Sequence, residues 1–358
     1  KSLNARMAAG SKGRRNLMLS ATLAEDPTEM RAVGFLLGLH NWADFFRWCL
    51  RNGCWRAPFG GLEFKRSTAP TYLLRLHEQV FGTGRGARVR IADLGDAFPE
   101  NTVIAEAYDM GDDGKIQRAY DAMEKELREL AKSSPPELFA ANALTRQLKA
   151  RQETELLKVP GLVEMANDLL DEGKSVVIFT NFRATLDALC EKLKTGCAIY
   201  GGQTESERQA CIDAFQDNRS RVIVVNIAAG GVGISLHDLS GTHPRVSLIC
   251  PTFNAKDLKQ ALGRIHRAGG KTKAVQKIVF AAGSIEEGIC RSVQRKLRNM
   301  DLLNDGDFSL EAVVQPPAKQ ANKRLREENA IFEKKRLPLP FEGANEAQVS
   351  STLEMTTL

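Results

Sequence analysis

The feature that most constrains the fold is a series of short, β-branched segments in the second half of the chain, each separated from the next by a helical pattern. These segments are apolar along their whole length, which is typical of strands buried on both faces of a parallel sheet. The helical patterns supply the crossovers that parallel pairing needs. We therefore predict an α/β domain over residues 156–303, with strands SVVIFT (175–180), CAIY (197–200), RVIVVN (221–226), RVSLIC (245–250) and AVQKIVF (274–280).

The pattern upstream of this domain is less regular. NLMLSAT (16–22) predicts a short strand, and the apolar spacing from Met30 to Leu39 predicts a helix. Residues 40–112 mix tryptophans with glycines and prolines and predict an irregular segment. Three helices are then predicted, over about 115–132, 137–158 and 160–173. After Leu310, paired prolines and mixed charges predict a mobile tail, either a solvated linker or a nucleic-acid-binding segment.

Composition and charge exclude several classes of protein. The chain is 43% hydrophobic and 26% charged, which suits a folded protein with a sizeable core. No apolar run approaches the ~20 residues of a membrane-spanning helix, and no secretory signal opens the chain. We therefore expect no membrane partner and a cytoplasmic or nuclear location. The net charge of +6 is compatible with phosphate-bearing partners without identifying one.

The cysteines argue against a disulfide framework. Seven cysteines without a C-x-x-C pair predict reduced, mostly buried thiols. Cys49 and Cys54 lie close together in sequence with His40 nearby, so a zinc site there is the minor alternative. We predict no metal ligands in this chain.

QALGRIHRAGG (260–270) is the strongest motif that bears on chemistry. On a helix, Gln260, Arg264 and Arg267 fall at i, i+4 and i+7 and form one stripe. Two guanidiniums on one face make a site for a concentrated anion such as a γ-phosphate. Taken alone, such a stripe is more often a solvated helix face, so the surrounding motifs decide between the two interpretations.

NIAAGGVGISL (226–236) follows a predicted strand directly. Gly230, Gly231 and Gly233 allow the backbone to approach a ligand at the carboxyl edge of a parallel sheet, where open sheets bind ligands. A glycine-rich turn without a ligand is the alternative. Further upstream, Thr204 and Glu207 in YGGQTESERQ have the spacing of a capping box, and the helix start that they mark is also a candidate phosphate contact.

These segments, in this order and with SVVIFTNFRATLDAL (175–189) ahead of them, resemble the second motor lobe of superfamily 2 helicases. The resemblance is strongest to Swi/Snf-type DNA translocases. It extends upstream, where residues 17–39 are similar to the third helicase motif, 76–100 to the segment linking the lobes, and 144–170 to the helices that lead into the second lobe.

The resemblance covers residues 16–303 and implies a RecA-like parallel sheet with helices on both faces, preceded by a partial first lobe and a helical linker region. The expected units are the end of the first lobe at 1–40, an inter-lobe linker and helical insertion at 41–155, the second lobe or helicase C-terminal domain at 156–303, and the mobile tail at 304–358.

Two motifs of the first lobe are missing from the sequence. A phosphate-binding loop should read G-x-x-x-x-G-K-S/T, but GGKT (269–272) would need a glycine where Ile265 stands. No D-E motif follows an apolar strand. In the family both lie upstream of the third motif, so we expect the chain to begin just after them and to be inactive alone.

In the family, ATP lies between two lobes, with Mg²⁺ held mainly by the first lobe and arginines supplied by the second. The resemblance implies catalytic roles for Arg264 and Arg267. The nucleotide contacts that it implies are Gln260, Gly231 and Gly233. The implied nucleic-acid contacts are Thr204, Asn181, Arg183 and Ser235. The residues implied to couple the two sites are Ser20, Ala21 and Thr22.

The function that the resemblance implies is the C-terminal half of an ATP-dependent DNA translocase or helicase, with the first lobe supplied in cis or in trans. We expect duplex DNA to be bound through its backbone, without sequence preference and with strong salt dependence. Residues 20–22 read SAT, where Swi/Snf proteins usually read TGTP. Translocation along duplex DNA is our preferred interpretation, and strand separation is the alternative within the same class. A truncated, non-catalytic nucleic-acid-binding or regulatory module is the alternative from another class.

Overall fold

The computed structural model describes residues 10, 17–19, 23–56, 61–64, 69–89, 93–94, 97–112, 114–133, 136–230, 233–252, 255–284, 286, 299 and 312–313. Four of the predicted site residues lie outside the described residues, namely Ser20, Ala21, Thr22 and Gly231. Most of the predicted tail does so too, as do most residues of the helix that the apolar spacing of the sequence predicts from Ile285 to Met300. Leu17–Leu19 are described and belong to no strand, and Leu17 and Leu19 are exposed. The strand prediction for this part of 16–22 is wrong, because an extended apolar run forms a ladder only where it finds a partner.

The described residues between 23 and 89, namely 23–56, 61–64 and 69–89, form a small unit of short elements with its own core. Its helices and strands are α1 (Arg31–Leu36), α2 (Phe45–Arg51), α3 (Ala69–His77), β1 (Cys54–Arg56) and β2 (Leu62–Phe64). The two strands pair as an antiparallel hairpin, with Trp55 opposite Glu63. Trp48, Leu73 and Leu76 are buried in the core of the unit. The prediction of an irregular segment is therefore wrong here, because such short elements leave too few residues for a period to be recognised.

A seven-stranded parallel sheet forms the centre of the molecule. Its strands are β3 (Asn101–Tyr108), β4 (Ser175–Thr180), β5 (Ala198–Ile199), β6 (Val222–Asn226), β7 (Arg245–Ile249), β8 (Ala274–Ala281) and β9 (Ala312–Val313). Their order across the sheet is β5-β6-β4-β7-β8-β3-β9. Val177 of β4 pairs with Ile223 on one side and with Ser247 on the other. All five strands predicted downstream of residue 174 are confirmed.

Strand β3 comes from the segment that we expected to link the lobes. It pairs in parallel with β8 along its whole length, from Asn101 opposite Ala274 to Tyr108 opposite Ala281. The prediction that residues 40–112 are irregular is therefore wrong for β3. The sheet thus includes a strand that lies well before the predicted domain start at 156, although the predicted domain ranges as such stay predictions.

Helices cover both faces of this sheet. They are α4 (Lys115–Ser133), α5 (Pro136–Leu157), α6 (Val159–Asp171), α7 (Arg183–Lys192), α8 (Glu205–Gln216), α9 (Ile227–Gly230) and α10 (Ala255–Ile265). Successive strand residues point to opposite faces. Val177 and Phe179 accordingly join a core with residues of α8 and α10. Val176 and Ile178 join a second core with residues of α4, α5, α6 and α7.

The two buried cores confirm the predicted fold, a RecA-like parallel sheet with helices on both faces. Two of the predicted site segments follow the carboxyl ends of neighbouring strands. Asn181 comes directly after β4, and the glycine-rich segment comes after β6. Among the helices that the structure describes, none combines the length and the apolar character that crossing a bilayer requires.

Candidate functional site

The two predicted catalytic arginines meet at a single carbonyl oxygen. Arg264 donates from Nη1 to the oxygen of Ile234 over 3.4 Å, and Arg267 donates from Nη2 to the same oxygen over 3.2 Å. Helix α10 ends at Ile265, so Arg267 is not part of the helical stripe that we predicted. It lies in the segment after the helix and reaches the same point by a different path. Gln260 is on α10 and is exposed.

The arginine pair combines burial with like charge. Arg264 is only 6% exposed, whereas Arg267 is half-buried. Burial, and after it the charge of Arg267, lowers the pKa of the Arg264 guanidinium. The Nε of Arg267 is buried and finds no hydrogen-bond partner in the described part of the chain. An anion beside the pair would relieve the charge repulsion and accept charge-assisted hydrogen bonds.

The carbonyl that holds both arginines belongs to the glycine-rich loop after α9. The backbone of this loop is held at Leu236, whose N–H donates to the carbonyl oxygen of Arg264 over 2.9 Å. Gln216 of α8 donates to the carbonyl oxygen of Ser235 over 2.7 Å. Gly233 has a φ of +69°, in the left-handed region, and among the described residues a Cβ there would meet no atom within 4 Å. The loop therefore needs glycine at this position for its backbone conformation and not for space.

Asn181 connects several elements at the carboxyl edge of the sheet. Its backbone N–H and its Nδ2 donate to the Glu155 carboxylate at 3.0 and 2.6 Å, and Nδ2 also donates to the carbonyl oxygen of Pro251. Asn226, at the end of β6, donates to the carbonyl oxygen of Asn181 over 3.0 Å. The donors of Asn181 thus have partners inside the protein. Its predicted contact with nucleic-acid phosphate stays a prediction, and that contact would require one of these hydrogen bonds to break.

Glu155 caps helix α7 from a distant helix. The N-cap residue Phe182 offers no side-chain cap, and its N–H donates instead to the Glu155 carboxylate over 3.1 Å. Burial raises the pKa of the Glu155 carboxyl, and the charge of Lys158 and the surrounding N–H donors offset only part of that rise. A carboxylate thereby occupies the helix start that would otherwise attract a phosphate.

Helix α8 begins with the capping box that the sequence predicted. The Thr204 hydroxyl accepts from the N–H of Glu207 over 3.3 Å, and the Glu207 carboxylate accepts from the N–H of Thr204 over 2.9 Å. The Thr204 hydroxyl also donates to this carboxylate. Because the hydroxyl already serves the cap, a phosphate contact from Thr204 stays a prediction. Thr204 itself is exposed at the protein surface.

Arg183 is a predicted nucleic-acid contact that is exposed at the protein surface. Its side chain is 52% exposed, and its Nε pairs with Asp187 one turn later over 2.7 Å. Its guanidinium carbon lies 3.4 Å from the centroid of the Tyr200 ring. Tyr200 was missed in the sequence, although its place just before Gly201 and Gly202 could have drawn attention to it. Together the two side chains hold a positive charge at the same sheet edge as Thr204.

A buried ion pair near this edge was also missed. The Lys158 ammonium lies 2.8 Å from one oxygen of the Glu286 carboxylate, and both side chains are almost fully buried. Burial disfavours the charged ammonium, but the Glu286 carboxylate outweighs that effect and raises the pKa of Lys158. Glu286 also accepts from the N–H of Ala281, so the pair joins the start of α6 to the end of β8. The only sign of this ion pair in the sequence was one charged residue in each of two predicted helices.

The suggested zinc residues have other surroundings. The ring nitrogens of His40 lie within hydrogen-bond distance of the carbonyl oxygens of Asn41 and Met30. The Cys49 thiol lies 3.6 Å from the carbonyl oxygen of Pro27. Among the residues that the structure describes, no group of three or more histidine, cysteine, aspartate or glutamate side chains is arranged to hold a metal ion.

A known protein family matches the part of the chain that contains the two arginines. Residues 161–269 match the family described as the helicase conserved C-terminal domain. The matched range includes Asn181, the glycine-rich loop and both arginines. This part of the chain is therefore similar to helicase conserved C-terminal domains. The match confirms the resemblance to superfamily 2 helicases on which the motif assignment rests.

The chain has relatives in a virus and in yeast. A protein of Acanthamoeba polyphaga mimivirus named "Putative ATP-dependent RNA helicase L364" is 42% identical over 223 residues, which are 62% of this chain and 41% of the relative. The chromatin remodeling factor mit1 of Schizosaccharomyces pombe is 28% identical over 176 residues, 46% of this chain and 12% of that protein. The chain thus spans less than half the length of the relatives that it matches.

Solved structures that resemble this chain include the C-terminal part of the Fun30 ATPase domain. It has a TM-score of 0.39 and 16% identity, over 58% of this chain and 98% of that one. The Sulfolobus solfataricus SWI2/SNF2 ATPase C-terminal domain has a TM-score of 0.35 and 17% identity, over 55% of this chain and 85% of that one.

Proposed function

We propose that this chain supplies the second lobe of an ATP-driven motor that moves along duplex DNA. The observation that carries the proposal is the convergence of Arg264 and Arg267 on the carbonyl oxygen of Ile234, inside a helicase C-terminal domain. Two guanidiniums held at one point, with part of one still lacking a partner in the described residues, suit a polyphosphate brought against this face by another lobe.

The proposed mechanism assigns the chain a positioning and electrostatic role. Arg264 and Arg267 would stabilise the negative charge that develops as the terminal phosphoryl group of ATP leaves, which in related enzymes contributes about 10³–10⁵ in rate. Gly233 and Ser235 shape the loop that carries the shared carbonyl oxygen. Opening the lobes withdraws both arginines together, because they share one anchor, so hydrolysis is tied to lobe closure.

Mg²⁺ belongs to the other lobe in this proposal. The described residues of this chain offer no cluster of acidic side chains for it, whereas their guanidiniums suit phosphate oxygens. Gln260 and Gly231 remain the proposed additional nucleotide contacts. Ser20, Ala21 and Thr22 remain the proposed coupling residues. We expect an intracellular protein, since DNA and ATP are both found there.

We propose that DNA is contacted through its backbone by Arg183 and Thr204, which are exposed at the starts of α7 and α8, and by the half-buried Ser235 of the glycine-rich loop. Asn181 is a weaker candidate because its donors already have partners. Backbone contacts carry no base information, so binding should be sequence-independent and should weaken steeply with salt. The mimivirus relative is named as an RNA helicase, which makes RNA unwinding the specific alternative.

The test joins this chain to a lobe that carries a phosphate loop, in cis or in trans, and measures ATP hydrolysis with duplex DNA, single-stranded DNA and single-stranded RNA. We expect no appreciable nucleic-acid-stimulated turnover by this chain alone. In the joined protein, Arg267→Ala should lower kcat by about 10³-fold, in line with arginines that stabilise a transferring phosphoryl group. Its affinity for duplex DNA should change by less than about twofold, since Arg267 is not among the proposed backbone contacts.

Arg219→Ala is the matched control, because Arg219 is exposed and pairs with the nearby Asp217. It should leave kcat unchanged. Normal turnover in Arg267→Ala would remove the arginine pair from the site. Stimulation by single-stranded RNA and not by duplex DNA would replace the translocase proposal with the RNA helicase alternative.

A further inference from the structure

Residues 97–100, which we name the connector, lie directly against the loop 266–270 that carries Arg267. The N–H of Gly269 donates to the carbonyl oxygen of Ala97 over 3.0 Å. The Nε2 of His266 lies 2.9 Å from the carbonyl oxygen of Pro99. Since that oxygen can only accept, His266 must carry a proton on Nε2.

Packing reinforces these hydrogen bonds. The rings of Phe98 and His266 meet edge to face, with their centroids 5.3 Å apart. A Cβ on Gly270 would lie 2.9 Å from Cγ of Pro99, so the connector and the loop approach each other as closely as a glycine allows. The connector therefore fits the loop by shape as well as by polar contacts.

The downstream end of the connector is anchored in the sheet. The N–H of Ala274 donates to the carbonyl oxygen of Glu100, and strand β3 begins one residue later, opposite Ala274. The buried side chain of Gln276 donates to the Asn101 side chain over 2.9 Å. The upstream end leads back along the chain toward the small unit of residues 23–89. In sequence, the connector therefore comes after that unit and directly before β3.

His266 and Arg267 are consecutive residues of the short loop 266–270, which we call the arginine loop. The N–H of Gly270 donates to the carbonyl oxygen of Arg267 over 3.2 Å, which closes a turn that begins at Arg267. On the other side, the Arg267 side chain is held at the carbonyl oxygen of Ile234. Arg267 therefore lies between two supports, the glycine-rich loop and the connector, and only the connector continues toward the upstream unit.

We infer that the connector is a latch on the arginine loop, and that His266 is the positioning residue through which residues upstream of the sheet set the place of Arg267. This inference rests on the proposed function, because it concerns the same arginine. It adds a route by which the position of the upstream unit controls hydrolysis. His266 touches neither the proposed nucleotide nor the proposed DNA surface.

The test compares His266→Ala with His266→Gln, whose side-chain amide can still donate to the carbonyl oxygen of Pro99. Hydrogen exchange on this chain should show the Gly269 amide exchanging about tenfold faster in His266→Ala, because its local opening becomes easier, while amides of β4 keep their rates. His266→Gln should restore most of the protection. In the joined two-lobe protein, kcat should fall about tenfold in His266→Ala with KM for ATP nearly unchanged, which indicates loss of an interaction made only in the transition state.

A second route avoids dependence on one variant. Gly270→Ala inserts a methyl group against Pro99 and should reproduce both effects of His266→Ala. Gly196→Ala is its control, since a Cβ on Gly196 would meet no atom within 4 Å. Unchanged Gly269 exchange in both His266→Ala and Gly270→Ala would overturn the latch. Faster exchange with unaltered kcat would overturn its link to Arg267. A failure of the proposed function would show separately, as normal turnover in Arg267→Ala.

Discussion

At the scale of single residues, the two arginines share one anchor but differ in burial. Arg264 is almost fully buried on α10, whereas Arg267 is half-buried beyond its end. A buried arginine contributes through the packing of its aliphatic part as well as through its hydrogen bonds. The same residue type in one motif should therefore have two separable effects, one on stability and one on chemistry.

We predict that Arg264→Ala lowers the free energy of unfolding of this chain by about 2 kcal/mol, through a lost hydrogen bond and lost packing. Arg267→Ala should lower it by less than about 1 kcal/mol, as expected for a partly exposed side chain. Urea unfolding followed by circular dichroism measures both. Equal losses of stability would contradict the different burial of the two side chains.

At the scale of elements, helices α7 and α8 begin at the same sheet edge but are capped in different ways. Helix α8 carries its own cap in Thr204 and Glu207, four residues within one turn. Helix α7 takes its cap from Glu155, which is 27 residues away from Phe182 and lies on α5. The first kind of cap is visible in a short sequence window, and the second is not.

These caps should differ in their contribution to stability. Thr204→Ala removes an exposed cap and should cost about 1 kcal/mol. Glu155→Ala leaves the N–H groups of Asn181 and Phe182 without their acceptor in a buried place and should cost about 3 kcal/mol. Chemical denaturation of the two variants provides the comparison, with Glu164→Ala on the exposed side of α6 as the control. A smaller loss for Glu155→Ala than for Thr204→Ala would contradict the long-range cap.

At the scale of the whole molecule, the buried histidines link stability to pH. His237 is only 8% exposed, and burial, followed by the charges of Arg267 and Arg245, lowers its pKa below the ordinary 6.5. Burial likewise lowers the pKa of His266. The unfolded chain therefore takes up protons at a higher pH than the folded chain does. Stability from these groups is complete above about pH 6.5 and is lost as the pH falls toward the lower folded values.

We predict that the free energy of unfolding of the chain decreases as the pH is lowered from 7.5 to 5.5. His237→Asn should make this decrease smaller, because asparagine does not titrate and the proton uptake on unfolding disappears. Thermal or urea unfolding at a series of pH values measures the slope. A variant with the same slope as the original chain would show that His237 does not contribute to the pH dependence.

The sequence by itself determined the core of the fold. Five strands downstream of residue 174 were located to within about a residue, because buried β-branched runs and helical periods are local signals. The same local character located the Thr204–Glu207 cap, the two arginines and the glycine loop. The family match over residues 161–269 then confirmed the resemblance to helicases that these motifs indicated. The functional roles of the individual site residues stay predictions.

The tertiary structure decided what depends on partners distant in sequence. Strand β3 was missed because its place beside β8 comes from pairing across more than 160 residues, and no local pattern records that. In the same way, only folding brings Glu155 to Asn181, Ile234 to both arginines, and Pro99 to His266. Sequence patterns specify elements, whereas the contacts that orient the site form only when those elements pack, because each needs a donor and an acceptor from different parts of the chain.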